Sequence, residues 1–170
     1  MIASAIIHDG DPVELLEGVL VKKARKSPAH RFATYKTRKL CERLASTGRY
    51  VDSHAPITLG SSEPEPDVAI IHGEYRDYTD RHPGPGDIAL VVEIADATLD
   101  RDRILKRRIY ASAGIPVYWV LDLNRRRLEV FSDPKGDNYS RCTMYESHQR
   151  IEVVLDGSPA GTILLSDLLP

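Results

Sequence analysis

Asp87-Ile88-Ala89-Leu90-Val91-Val92-Glu93-Ile94 is the most apolar run of this chain, interrupted inside only by Glu93. A run this continuous offers no polar face to water, so it predicts a central strand covered on both sides. The carboxylate near its end is costly to bury unless a cation or a hydrogen-bond donor meets it. The flanking segments therefore have to supply covering layers and a partner for Glu93.

Those layers are visible in the pattern. Residues 13–21 predict two short strands turned at Glu17-Gly18. Ser27-Pro28 is an N-cap followed by a first-turn proline. Ala33, Thr37, Leu40, Cys41 and Leu44 then follow at helical spacing, with Arg31, Lys36, Arg38, Lys39 and Arg43 on the rest of the surface. Residues 50–53 and 56–59 look like short strand pieces, and residues 67–71 a compact one. Residues 72–87, rich in Gly, Pro, Asp and His, predict a loop with room for a turn of helix. Residues 98–113 predict a second helix, closed by Gly114 and Pro116. Residues 117–122 predict another buried strand, residues 127–131 its hairpin partner after a turn, and two further strands fall near 142–145 and 151–155. Residues 164–169 predict a terminal turn of helix. Helix, strands, helix, strands in this order means an α/β chain with a mixed sheet flanked by helices. At 170 residues and 42% hydrophobic content, one domain spanning residues 1–170 is expected, burying about 70% of its unfolded surface.

The acids fall where chemistry is expected. If residues 67–71 pair antiparallel with the apolar run, Asp67 at the start of one strand lies beside Glu93 at the end of the other. Two adjacent carboxylates raise each other's pKa, and a divalent cation relieves both. Hard oxygen donors suit Mg²⁺ or Mn²⁺. On the second helix Asp102, Lys106 and Tyr110 recur at i, i+4 and i+8, while Leu105, Ile109 and Ala113 are placed to pack on the sheet. A lysine here can orient a metal-bound water or stabilise charge on a phosphate; an exposed Asp102–Lys106 salt bridge is the alternative.

With these residues in place a resemblance is readable. Glu65-Pro66-Asp67-Val68-Ala69, Val91-Val92-Glu93-Ile94-Ala95-Asp96-Ala97-Thr98, Lys106 with Tyr110-Ala111, and Gly114-Ile115-Pro116-Val117-Tyr118-Trp119-Val120 resemble the Uma2 family of the PD-(D/E)xK restriction-endonuclease-like superfamily. Glu14-Leu15-Leu16-Glu17-Gly18 and His30 extend the likeness over nearly the whole chain. The resemblance implies a restriction-endonuclease-like core, Mg²⁺ (or Mn²⁺) held by Asp67, Glu93 and the Ile94 carbonyl, and hydrolysis of phosphodiester bonds in DNA. It also implies a homodimer. One departure stands out: the position two after Glu93, a lysine in that motif, is Ala95, and the resemblance implies that Lys106 takes its place. Glu17 as a further acidic ligand, His30 on phosphate or metal, and Tyr110 on a carboxylate or Lys106 are the secondary candidates. Each has a plain alternative: a turn residue, a helix-terminal residue, a packing aromatic.

The remaining features bound the function. Cys41 and Cys142 form no CxxC pair and are expected as reduced thiols of a cytoplasmic protein. The N-terminal apolar run is too short, and lacks the basic flank, of a signal peptide; no membrane span is expected. A net charge of −2 argues against a uniformly basic nucleic-acid binder. Yet Lys22-Lys23-Ala24-Arg25-Lys26, residues 101–108 and Arg125-Arg126-Arg127 are locally basic, and residues 62–67 and 77–87 locally acidic. Either a basic rim around an acidic pocket or solvated surface fits these runs. Trp119 is expected in the core; His72, His82 and His148, which share no ligand spacing, on the surface. No GxSxG nucleophile motif supports a small-molecule hydrolase. A nuclease fold kept as a DNA-binding or protein-interaction module, with the chemistry lost, is the competing reading.

Overall fold

The hairpin at Glu17-Gly18 forms as expected. In the computed structural model, which describes residues 11–170, β1 (Val13–Leu16) pairs antiparallel with β2 (Val19–Lys22). Both turn residues adopt positive φ, 49° at Glu17 and 79° at Gly18. The N-terminal run over residues 1–9 lies outside the described residues.

Ser27 caps the first helix by accepting a hydrogen bond from the His30 N–H at 3.1 Å, and Pro28 opens it. This helix, α1 (Pro28–Leu44), buries Ala33, Thr37, Leu40 and Cys41, the stripe expected from their spacing. Then follow β3 (Arg49–Asp52), β4 (Val68–His72), β5 (Ile88–Ala95), β6 (Val117–Asp122), β7 (Arg127–Lys135) and β8 (Asn138–Glu146). They form one six-stranded sheet in the order β3-β4-β5-β6-β7-β8. Only β5 and β6 run parallel. The crossover between them carries a π-helical segment, Arg101–Lys106, that continues as α2 (Arg107–Ser112). The chain is thus an α+β fold on a mixed sheet.

The central strand is covered on both faces, as its composition demands. Ala33, Leu40 and Cys41 of α1 pack in one cluster with Val68, Ile70, Leu90, Val92, Ile94, Trp119 and Leu121. Ile109, Tyr110 and Ala111 of α2 pack in a second with Val91, Ala95, Tyr118 and Val120. Trp119 is 2% exposed and belongs to the core. Leu105 and Ala113 pack partly buried against the second cluster.

Two expectations fail. Residues 56–59 do not join the sheet. Their backbone is tied instead by Ile57 N–H to the Pro64 carbonyl and by an isolated Leu59–Ser62 bridge, because the surrounding prolines cannot donate to a ladder. Conversely, the segment after residue 155 is a strand, β10 (Ser158–Leu164), paired antiparallel with β9 (Arg150–Leu155). A 3₁₀ turn at Leu165–Leu168 follows. Cys41 is buried and Cys142 exposed, both free thiols.

Candidate active site

The pairing of β4 with β5 decides where the acids go. The strands are antiparallel with Val68 opposite Val92, so the residue before Val68 meets the residue after Val92: Asp67 lies beside Glu93. The Ile94 N–H donates to Asp67 Oδ2 at 2.9 Å. Since a residue's N–H and C=O point to the same neighbouring strand, the Ile94 carbonyl faces the Asp67 side as well.

Glu93 alternates out of the α1-covered face and points toward the crossover helix. There Lys106 Nζ sits 2.9 Å from Glu93 Oε1, and the Tyr110 hydroxyl donates to the same oxygen at 2.7 Å. Both contacts land on Oε1; Oε2 has no hydrogen bond among the described residues. Lys106 also pairs at 3.0 Å with Glu14 Oε2. Asp102, one helical step before Lys106, accepts from the Thr98 hydroxyl at 2.5 Å. The exposed salt bridge considered for Asp102 and Lys106 is therefore absent: both are buried, and Lys106 is held by Glu14 and Glu93 instead.

On the other side of Asp67 stands His30, whose Nε2 is 3.1 Å from Oδ2. Thr34 approaches the second ring nitrogen at 3.3 Å. His30 thus orients Asp67 directly from the first turn of α1. Lys26 Nζ lies 3.7 Å from Asp67 Oδ1, and His54 Nδ1 lies 3.4 Å from the same oxygen.

Glu17 is a correction. Its carboxylate turns outward and pairs with Arg108 Nε at 3.0 Å; it takes no part in the acid cluster. The acid that the hairpin contributes is Glu14. It shares the inward face of β1 with Leu16, so the period-two alternation ahead of the turn carried that signal.

The cluster is electrostatically unbalanced. Glu14, Asp67, Glu93 and Asp102 are 2–7% exposed, and the ammonium among them, Lys106, is 3% exposed. Burial pushes Glu93 up to about 8 despite Lys106 beside it. Burial likewise raises Asp102 to about 6. Asp67 goes the other way: burial raises it, but the His30 hydrogen bond and charge, the Ile94 N–H and Lys106 outweigh this and hold it below the usual carboxylate range. Lys106 stays cationic, since Glu93, Glu14 and Asp102 overcome its desolvation and raise its pKa. Two neighbouring carboxyls with opposite shifts are a pattern of acid–base sites.

These groups line a cleft whose mouth carries Lys23, Arg25, Lys26 and Arg101, the basic rim around acids that the sequence left open. Among the described residues no group of three or more His, Cys, Asp or Glu side chains closes on one point. The donors that the β4–β5 register brings side by side are two carboxylates and a backbone carbonyl, all hard oxygens of the kind Mg²⁺ or Mn²⁺ takes together with water. The residues present fit such an ion.

The profile of the Uma2 family, described as "Putative restriction endonuclease", matches residues 3–158. The chain belongs to the Uma2 family. A solved structure similar to this Uma2 chain is that of a "putative nuclease belonging to DUF820" from Anabaena variabilis ATCC 29413, with a TM-score of 0.74 at 14% identity, covering 97% of this chain and 94% of the other. At that identity the likeness concerns the fold: the Uma2 chain has a nuclease fold. No curated protein matches it. Among the described residues no helix is long and apolar enough to cross a membrane.

Proposed function

We propose that this Uma2 protein is a divalent-metal-dependent endonuclease that hydrolyses phosphodiester bonds in DNA. The observation that carries the reading is the juxtaposition of Asp67 and Glu93 across the β4–β5 register, with the Lys106 ammonium on Glu93. Asp67, Glu93 and the Ile94 carbonyl would hold Mg²⁺ or Mn²⁺. The bound ion supplies an acidified water and neutralises charge on the phosphate.

The chain's own groups have distinct parts in this. Asp67 is ionised and held in one orientation by His30 and the Ile94 N–H. Tyr110 fixes Glu93 Oε1 and leaves Oε2 for the ion. Lys106 carries a proton it does not readily give up, so it serves as a charge stabiliser for the phosphate under attack and not as the base. Ala95 does not count against this role. Position 95 is on the same strand face as Glu93, two residues along, and Lys106 reaches that carboxylate from the helix covering the same face. The working form is expected to be a cytoplasmic homodimer, one copy per strand cut, which sedimentation will test.

Plasmid cleavage with Mg²⁺ or Mn²⁺ is the direct experiment. Wild type nicks or linearises the plasmid, while Asp67→Asn and Lys106→Ala each lose at least about a hundredfold in rate, typical of removing one charge stabiliser. Cutting that persists in both variants would exclude this site. No metal-dependent cutting of any DNA or RNA would instead favour a nuclease fold used as a binding module, the reading that the net charge of −2 leaves in play.

A further inference from the structure

The acidic cleft opens outward into a wider groove, and the two share Lys23, Ala24, Asp96, Ala97, Thr98 and Arg101. One side of the groove carries Lys22, the last residue of β2, with Lys23 and Ala24 after it, and Arg25 and Lys26 continue the link to α1 along the cleft. Arg101 at the start of the π-helical segment and Arg125 in the β6–β7 turn stand at the groove's other lining positions.

Most of these cations are already engaged. Lys23 pairs with Glu65 at 2.7 Å, Lys26 approaches Asp67 at 3.7 Å, Arg101 donates to the Lys22 carbonyl at 3.0 Å, and Arg125 reaches Asp122 at 3.2 Å. The side chains of Lys22 and Arg25 are different. Both residues are exposed, and neither side chain has an ion pair or hydrogen bond among the described residues. Acids line the same surfaces, Glu65 and Asp96 in the cleft with Arg25 and Asp96 and Asp100 in the groove with Lys22, yet neither cation is paired with one among the described residues. Their charge is offered to an anion from outside.

The form of that anion follows from spacing and from what the groove lacks. Three residues of chain reach at most about 10 Å, roughly three base-pair steps along a nucleic-acid helix. Among the described residues no Phe, Tyr or Trp lines the cleft or the groove, so they offer no platform on which unpaired bases would stack. Cations without a stacking surface suit a backbone whose bases are already stacked on each other.

We propose that Lys22 and Arg25 grip the sugar–phosphate backbone of double-stranded DNA beside the bond that Asp67 and Glu93 serve, an inference that rests on the nuclease reading above. Lys22 and Arg25 position the duplex; they do not touch the reacting atoms. Their contribution is sequence-independent and salt-dependent.

The test is fluorescence anisotropy with a labelled 20-base-pair duplex, Ca²⁺ replacing Mg²⁺, over a salt series. Lys22→Ala/Arg25→Ala is expected to lower the magnitude of the log K against log salt slope by about 2, since each lost phosphate contact removes about 0.9. The loss is expected to be equal on two unrelated sequences. Because neither side chain has a partner among the described residues, the melting temperature and the Mn²⁺ affinity of the variant stay at the wild-type values. An unchanged slope overturns the proposal, as does tighter wild-type binding to the single strand than to the duplex. The two readings part cleanly. Wild type that binds the duplex with the steeper slope but cuts nothing sinks the nuclease and keeps this subsite. Wild type that cuts, with the double variant matching it in KM and salt slope, sinks the subsite alone.

Discussion

Without its ammonium, Lys106 would leave Glu93 buried with no ion pair among the described residues, and Glu14 with only Arg101 at 3.7 Å. Breaking a buried ion pair from one side costs about 3–5 kcal/mol, so Lys106→Met is expected to lower the melting temperature by about 10 °C or more. Adding Glu14→Gln and Glu93→Gln to Lys106→Met should return part of that loss, because the uncompensated charges go with them. A change below about 1 kcal/mol in calorimetry would mean that water already reaches the cluster. Lys26 presents the converse case. It is a half-exposed cation resting 3.7 Å from Asp67 Oδ1, where a divalent ion would sit. An ion pair of this exposure is worth about 0–1 kcal/mol, so Lys26→Met should bind Mn²⁺ up to about fivefold more tightly by isothermal titration; weaker binding would show that Lys26 supports the ion. Legibility at this scale was uneven. Asp67, Glu93 and Lys106 could be found because strand ends and helix spacing place them. Glu14 and Glu17 both sit by one turn, and only the inward partner Leu16 distinguishes them. Lys26 and His54 lie on irregular backbone, where no periodicity says which way a side chain points.

The crossover helix shows what pattern alone conceals at the level of an element. Its i, i+4, i+8 spacing put Asp102, Lys106 and Tyr110 on one face, and all three are buried there. Its first turns, however, are π-helical, with the Arg107 N–H donating to the Asp102 carbonyl five residues back. The same carbonyl accepts from the Tyr118 hydroxyl at 3.0 Å. A π turn is a local departure from the hydrogen-bond ladder and frequent at functional sites, and here β6 props it through Tyr118. Tyr118→Phe removes one hydrogen bond while keeping the ring, so it should cost about 1 kcal/mol of stability. It should also lower the cleavage rate more than Asp67-independent DNA binding, since only the placement of Lys106 is disturbed; a variant with unchanged rate would show that the π turn holds without β6. β10 was illegible for another reason. Ser158-Pro159-Ala160-Gly161 reads as punctuation, yet Gly161 is in the strand because its φ is 151° and a Cβ there would lie 2.7 Å from Leu44 Cδ2. The glycine answers a close approach by α1, a tertiary fact absent from the local sequence.

At the scale of the molecule, the β9–β10 hairpin is tied to the main sheet by charge as well as by apolar packing. Asp156, in its turn, receives Arg49 Nε from the start of β3 at 3.1 Å and stands 3.0 Å from His72 Nε2 at the end of β4. Burial raises the Asp156 carboxyl, but the hydrogen bonds from Arg49 and His72 outweigh it and hold the pKa below the ordinary value. A carboxyl depressed in the folded state contributes stability that is fully present above its unfolded pKa of about 3.9, and loses it as pH falls through the folded value. Asp156→Asn tests this without disturbing the turn, since Asn tolerates the positive φ of 51° found there. At pH 7 the variant should be less stable by up to about 1 kcal/mol, the range for a partly exposed pair. In urea titrations the two proteins should converge as pH falls through the folded value of Asp156, because protonated Asp156 no longer attracts Arg49. A gap that persists undiminished below that value would mean that hydrogen-bond shape, and not charge, joins the hairpin to the sheet. The acid limb of stability would then come from the other carboxyls held below their usual range, Asp67 in the buried cluster and Asp87 and Glu42 nearer the surface.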